Sequence, residues 1–271
     1  MFKKIFIWSI SFLIAGTIAV FQRATGPTYP VKGKYLFGDK SVKYKFPRSC
    51  TVGLDDCVGK IFAPGLKGYV LYKRLGVEEN YKKIDFVSDE NVSLFKLETN
   101  FPKAGKIEYD AYLLSEGKEF KINKDKVILR FKGYVPASIL AAHIIFMFLF
   151  MIFSVYLFFE NNFSSGINKK IFYLNYFFLI IGGFVLGPIV QYYAFDILWS
   201  GFPFGYDLTD NKVLLIFISW TAVLFKIIKS KDYKKWLNLA FVFTIAVYLV
   251  PHSLLGSEYD YSAGKLTNVK N

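Results

Sequence analysis

The sequence predicts an α+β membrane protein: an N-terminal anchor helix, an exported antiparallel β-sandwich of Ig-like type, and a C-terminal four-helix transmembrane bundle. Three observations carry this expectation. The 271 residues are 54% hydrophobic and 20% aromatic, which is too apolar for an ordinary soluble domain. Apolar runs about one membrane thickness long stand near the N-terminus and again in the second half of the chain. Between them, residues 22–135 contain no such run and alternate apolar with polar instead.

The placement of charge orients these segments. The formal net charge is +13, and lysines gather beside the apolar runs: Lys3-Lys4, Lys169-Lys170, and Lys226, Lys229, Lys231, Lys234 and Lys235. Clusters of this kind mark cytoplasmic flanks. Because they flank spans, they argue for a lipid bilayer as the partner and against nucleic acid.

In chain order, Lys3-Lys4 precede an apolar run over residues 5–21. An uncleaved anchor entering from the cytoplasm fits its length better than a cleaved signal peptide, for which Thr17-Ile-Ala19 would serve poorly. Either reading puts residues 22–135 outside. The domains are then 1–21 (anchor or signal peptide), 22–135 (exported β-sandwich), 136–255 (four-helix transmembrane domain) and 256–271 (outer tail). Segments such as Val42-Lys-Tyr-Lys-Phe46, Tyr69-Val-Leu-Tyr72, Val92-Ser-Leu-Phe-Lys-Leu97, Lys106-Ile-Glu-Tyr-Asp-Ala-Tyr-Leu113 and Val127-Ile-Leu-Arg-Phe131 predict seven or eight strands. Cys50 and Cys57, the only cysteines, fall in this exported part, so a disulfide is expected.

Pro136 opens the membrane part. Spans are expected over residues 137–159, 171–195, 213–228 and 236–250. With the anchor, five spans with N-terminus in and C-terminus out satisfy every lysine cluster; Lys212 is a minor exception that can snorkel. This places the protein in a bacterial inner (plasma) membrane as a multi-pass protein with a periplasmic or extracellular β domain.

That topology brings three polar features to the outer face. The first is the pair of histidines, His143 and His252, the only two in the chain. Neutral imidazoles on separate helices suit axial ligation of haem b. Gly182, Gly183 and Gly187 would leave room for a macrocycle, and Phe146, Phe184 and Tyr248 would wall it. The commoner role for an intramembrane histidine is a hydrogen bond to a neighbouring carbonyl, and for such glycines close helix packing. The second is the turn-rich island at residues 199–212. Its Asp207 and Asp210, with Glu258 from the tail, could hold a divalent metal, while capping of the next helix by Asp207, Thr209 or Asp210 is the plainer role. The third is Met147 and Met151, spaced to share the helical face of His143. They suit copper(I), although methionine more often fills apolar gaps.

Thr25-Gly-Pro-Thr-Tyr-Pro30, Ala104-Gly-Lys-Ile-Glu-Tyr109, His143-Ile-Ile-Phe-Met-Phe148, Gly201-Phe-Pro-Phe-Gly-Tyr-Asp-Leu-Thr-Asp-Asn-Lys212 and Pro251-His-Ser-Leu-Leu-Gly-Ser-Glu258 together resemble an uncharacterised family of bacterial multi-pass membrane proteins. The resemblance implies an exported β domain joined to a helical bundle. It implies no activity, and no catalytic residue is carried over.

The function expected first is a redox or metal/haem-binding membrane protein with its site at the outer leaflet. The alternative is a non-catalytic envelope scaffold whose outer domain binds another envelope membrane protein, and a small transporter stands third. No Ser-His-Asp arrangement, Gly-x-Ser-x-Gly or phosphate-binding glycine loop is present.

Overall fold

The computed structural model describes residues 2–37, 40–54, 56–229, 232–251 and 256–267. The fold is mixed α+β, in the order N-terminal helix, sheets, helices. The chain forms two compact units. One takes the chain to Pro27 and from Val135 to Gly256; the other takes Thr28–Tyr134 and Ser257–Thr267.

The second unit is built from eleven strands within residues 28–134: β1 (Val31–Phe37), β2 (Lys40–Phe46), β3 (Ser49–Thr51), β4 (Val58–Ile61), β5 (Gly68–Arg74), β6 (Lys82–Asp85), β7 (Val87–Asp89), β8 (Val92–Lys96), β9 (Lys106–Ser115), β10 (Lys118–Lys121) and β11 (Val127–Lys132). One sheet runs β1-β2-β4-β8-β7; the other runs β3-β11-β9-β5-β6, with β10 also paired to β9. All pairs are antiparallel except β3 with β11. The five stretches with the clearest alternation all lie within or across strands. The expected total of seven or eight is too low, because three- and four-residue strands such as β3, β6 and β7 are too short to show a period-two pattern. The last two are also largely exposed, as suits polar sheet edges.

Apolar side chains from both sheets share one core, as in a sandwich. The Tyr109 ring of β9 lies 5.8 Å from that of Phe95 on β8 and 6.3 Å from that of Phe46 on β2. The Tyr109 hydroxyl, which would be costly to bury unpaired, donates to the carbonyl of Pro47 at 2.7 Å. Gly59 sits opposite Phe95 in the β4–β8 ladder. A Cβ there would fall 2.0 Å from the Phe95 ring, so only glycine lets that ring lie flat on the strand.

Residues 257–267 fall in the segment expected as an outer tail. They form the two-stranded piece β12 (Tyr259–Asp260) and β13 (Lys265–Leu266) and belong to the β unit. The Tyr259 amide donates to the Ala104 carbonyl at 3.1 Å, Tyr261 donates to the Lys106 carbonyl at 3.1 Å, and Arg130 donates to the Ser257 carbonyl. Each pairing spans more than a hundred residues, which local pattern cannot reveal.

The helical unit holds α1 (Phe2–Thr25), α2 (Ala137–Phe163), α3 (Lys169–Leu179), a π-helical segment (Ile180–Leu186), α4 (Gly187–Phe195), α5 (Leu208–Ile228) and α6 (Lys234–Leu249). Segment α3, the π segment and α4 run on as one helix over Lys169–Phe195. With α1, α2 and α5, it gives four helices, among the described residues, long and apolar enough to cross a membrane. These four suggest a multi-pass membrane protein. Helix α6, at 16 residues, is about 24 Å long at 1.5 Å per residue and falls short of that length.

Helix α1 packs inside this unit. Its Trp8 stacks on Tyr156 of α2 at 4.2 Å and meets Phe153 edge-on at 5.1 Å, while the small Ser11 and Ala15 are buried. Lys3 and Lys234 come to one end of the unit. There Lys3 donates to the Phe163 carbonyl, and Asn161 donates to the Lys234 carbonyl at 3.0 Å and to Asn238 at 2.9 Å. At the opposite end, Gln22 of α1 and Lys212 of α5 both donate to the Val250 carbonyl, at 3.2 and 2.8 Å.

Cys50 and Cys57 form the expected disulfide, with Cα atoms 5.2 Å apart, and both are fully buried in the sandwich core. Asp56 closes the same loop by accepting from the Thr51 amide at 2.9 Å and hydroxyl at 2.8 Å. Replacing both cysteines by alanine should lower the stability of the β unit by about 2–3 kcal/mol, the loop-entropy value for a ring of this size. Denaturant titration of tryptophan-free near-UV signals from the β unit would measure it. The unreduced, denatured wild type should take up no thiol-alkylating reagent.

Candidate functional site

Two places gather chemistry, one in each unit. In the helical unit it is the end away from the lysines. The sequence there contains Gly182-Gly183 and Gly187-Pro188, residues that weaken regular helix geometry, and the backbone widens into the π segment. The Gly187 amide reaches back to the Gly182 carbonyl. That carbonyl also lies 2.9 Å from Nδ1 of His143. A carbonyl can only accept, so Nδ1 carries the proton and the lone pair of the neutral ring is on Nε2.

The glycines serve close packing. A Cβ on Gly182 would meet Sδ of Met147 at 2.8 Å, and one on Gly183 would meet Cγ1 of Val213 at 2.7 Å. The space expected for a macrocycle is, at these two positions, filled by α2 and α5. Met147 packs against the cluster of Phe150, Phe172 and Trp220, whereas Met151 is buried with Ala15, Val155 and Phe241. The two thioethers thus fill gaps in different clusters. Of the expected wall residues, Phe184 meets Trp199 and Phe217 with ring centres 5.6 and 4.9 Å apart, and Phe146 meets Phe178 at 5.7 Å. The buried Tyr248 hydroxyl has no hydrogen-bond partner among the described residues. His252 lies outside the described residues.

The island between α4 and α5 is held by its aspartates. Helix α4 ends at Asp196, whose φ of 60° is left-handed. Asp207 is the N-cap of α5, accepting from the Thr209 amide at 2.8 Å. Asp210, buried in the first turn, accepts from the Ser200 amide at 2.6 Å, the Ser200 hydroxyl at 3.1 Å and the Gly201 amide at 3.1 Å. Gln191 donates to the Ser200 hydroxyl at 2.6 Å, and Asn211 accepts from the Phe202 amide at 2.7 Å. Phe202, Phe204 and Tyr206 remain exposed, as an interfacial aromatic belt requires. Lys212 has a place of its own: its amine caps the end of α6 through the carbonyls of Val250 and Pro251, at 2.8 and 3.0 Å. A lysine there satisfies carbonyls that a helix end leaves free.

Glu258 belongs to the β unit, where its carboxylate lies 2.6 Å from the Lys106 amine. Among the described residues, no group of three or more His, Cys, Asp and Glu side chains is placed to hold a metal ion.

The β unit contains a cavity of about 450 Å³. Its floor is β5 and β6, with Tyr72, Arg74 and Lys82; the loop before β9 adds Glu98, Asn100 and Phe101 along one side, and the returning hairpin adds Tyr259 and Tyr261. Arg74 grips Glu79 through Nε at 2.9 Å and Nη2 at 2.6 Å, and its guanidinium carbon lies 5.4 Å from the Tyr261 ring centre. Lys82 sits 3.4 Å from Glu98. The hydrogen bond from Arg74, opposed by burial, holds the Glu79 carboxyl below the usual range. Burial above all raises Tyr261 to about 12, so its phenol is neutral at physiological pH. Sequence reading did not single out these residues. The aromatic pair Tyr259 and Tyr261 was the available signal, and it has meaning only once the tail is known to fold back.

No family model, curated protein or solved structure matches this chain.

Removing the Asp210 carboxylate should loosen the island. Asp210→Ala leaves two amides and a hydroxyl without their acceptor, a loss of about 2–4 kcal/mol, while Asp210→Asn retains one accepting oxygen and should cost less. Thermal unfolding in detergent, with proteolytic cleavage mapped within residues 196–206, measures both. Equal stability of Asp210→Ala and wild type would contradict the bracing role.

Proposed function

We propose that this protein is a multi-pass protein of a bacterial inner (plasma) membrane that holds its β unit on the outer face as a recognition module for an envelope partner. The observation that carries this reading is the return of residues 257–267 to the unit made by residues 28–134. A folded unit cannot straddle a bilayer, so the chain between Tyr134 and Ser257 crosses an even number of times. Helix α2, the continuous α3–α4 helix, α5 and α6 make four crossings, so the short α6 is counted as a span that tilts little. Lys3 and Lys234 on their shared end support a cytoplasmic assignment for that end. The buried disulfide supports an oxidising compartment for the β unit.

A second reading, a haem b or metal site using His143 and His252, is favoured by one feature. The bond from Nδ1 of His143 to the Gly182 carbonyl at 2.9 Å leaves Nε2 as an oriented lone pair, the arrangement in which ligating histidines are commonly held. Copper has less support, because Met147 and Met151 pack into different clusters, and so has a divalent ion at Asp207, Asp210 and Glu258, because those carboxylates already serve as cap, brace and ion-pair partner. Transport has the least, since Glu160, the buried carboxylate of α2, accepts from Tyr156 at 3.2 Å and the Asn168 amide at 2.8 Å near the lysine end.

The topology is tested with single cysteines at Ser165, Tyr206 and Ser262, all exposed, probed by an impermeant thiol reagent on spheroplasts; the native pair is disulfide-bonded and silent. Tyr206→Cys and Ser262→Cys should label and Ser165→Cys should not. Labelling at Ser165 would overturn the orientation. For the second reading, protein purified in mild detergent should show a Soret band that disappears in both His143→Ala and His252→Ala. A colourless preparation from haem-replete cells, with no bound metal by elemental analysis, would remove the haem and metal reading.

A further inference from the structure

The cavity of the β unit has a composition that selects a chemical class of ligand. Its charges cancel in pairs: Arg74 with Glu79 at 2.6 Å and Lys82 with Glu98 at 3.4 Å. An ion entering it would find each opposite charge already engaged, so the cavity favours a neutral ligand. Phe101, Tyr259 and Tyr261 line it with apolar ring faces, the two tyrosines adding polar tips, while Tyr72 is buried in the core behind it. Tyr259 and Tyr261 stand edge to face, 5.5 Å between centres, and so present surfaces at a large angle to one another.

The Arg74–Glu79 pair is held in place before any ligand arrives. Glu79 is fixed by three hydrogen bonds from Arg74, one of them from the Arg74 amide at 2.7 Å. Asn100, exposed at the rim, brings an amide that can both donate and accept. Flat apolar faces beside immobilised, charge-neutral donors and acceptors suit a ring with C–H faces and a hydroxyl perimeter. A cavity of this volume lies in the range of about 300–1,000 Å³ that holds a small ligand. Proline-rich peptides also dock on tyrosines, but in grooves walled mainly by apolar rings; here four of the ten lining residues are charged.

We propose that the cleft between β5–β6, the loop before β9 and the C-terminal hairpin binds a neutral oligosaccharide, with Tyr259 and Tyr261 as its stacking surface and Asn100 and the Arg74–Glu79 pair as hydrogen-bonding groups. This names the ligand of the proposed recognition module and rests on that reading. The two fail separately, because cysteine labelling reports which face carries the cleft whatever binds there.

The test uses the full-length protein in lauryldimethylamine oxide, since detergents with glycoside headgroups would compete. Maltotriose, cellotriose and tri-N-acetylchitotriose are titrated by isothermal calorimetry. At least one should bind saturably with Kd below about 1 mM, and Tyr259→Ala and Asn100→Ala should each weaken it roughly tenfold or more. Circular dichroism and thermal unfolding establish that the variants fold; if Tyr259→Ala does not, the exposed Asn100→Ala decides. The proposal is overturned if none of the three sugars saturates by about 10 mM, or if binding survives Asn100→Ala unchanged. It is also overturned if a proline-rich decapeptide saturates the cleft while the sugars do not.

Discussion

The ion pair between Lys106 and Glu258, at 2.6 Å, fastens the segment after the last helix to the β unit. A half-exposed pair is worth little alone. Here it acts with the backbone bond from Tyr259 to Ala104 and the bonds at Tyr261 and Arg130. Together they make residues 257–267 part of a sandwich whose other strands precede every helix but the first. The same attachment supplies one wall of the tyrosine cleft.

In the helical unit the ruling constraint is that backbone polar groups need partners where water is scarce. Three side chains that look out of place in an apolar sequence answer it. Lys212 closes the carbonyl end of α6, Asp207 closes the amide end of α5, and Asp210 holds the amides of Ser200 and Gly201. His143 answers the same need at the widened turn, where the Gly182 carbonyl takes its Nδ1 proton. The residue types that suggest a metal site are thus the ones that terminate helices well. A carboxylate is the strongest acceptor available to a cluster of amides, so the two roles share a signature in sequence.

The positions that carry ligand chemistry in the β unit are ordinary taken one by one. Arg74 and Glu79 make an ion pair, Tyr72 faces the core, and Phe101 stacks on Phe131 with ring centres 4.5 Å apart. Their convergence with Tyr259 and Tyr261 makes a concave, charge-balanced surface.

Local chemistry along the sequence determined several things without help. Apolar runs separate from water, so the long helices α1, α2, α3–α4 and α5 were legible, as was alternation in β2, β5, β8, β9 and β11. The pairing of Cys50 with Cys57 followed from their being the only two thiols, and a cap before the apolar run followed from the polar residues there, although the structure chose Asp207 over Thr209 and Asp210. The short strands β3, β6 and β7, the π segment, the burial of α1 against α2, the partner of Lys212 and the return of residues 257–267 were decided only by tertiary structure. Several depend on a partner far away in sequence, such as Tyr156 for Trp8, Val250 for Lys212 and Lys106 for Glu258, whereas β6 and β7 pair with the strand next to them in sequence. A three-residue strand or a glycine pair has no periodicity to display, and its conformation is set by the side chains that pack on it. The candidate site divides the same way. Its residue types could be read from the chain, but which of them meet was fixed by long-range pairing.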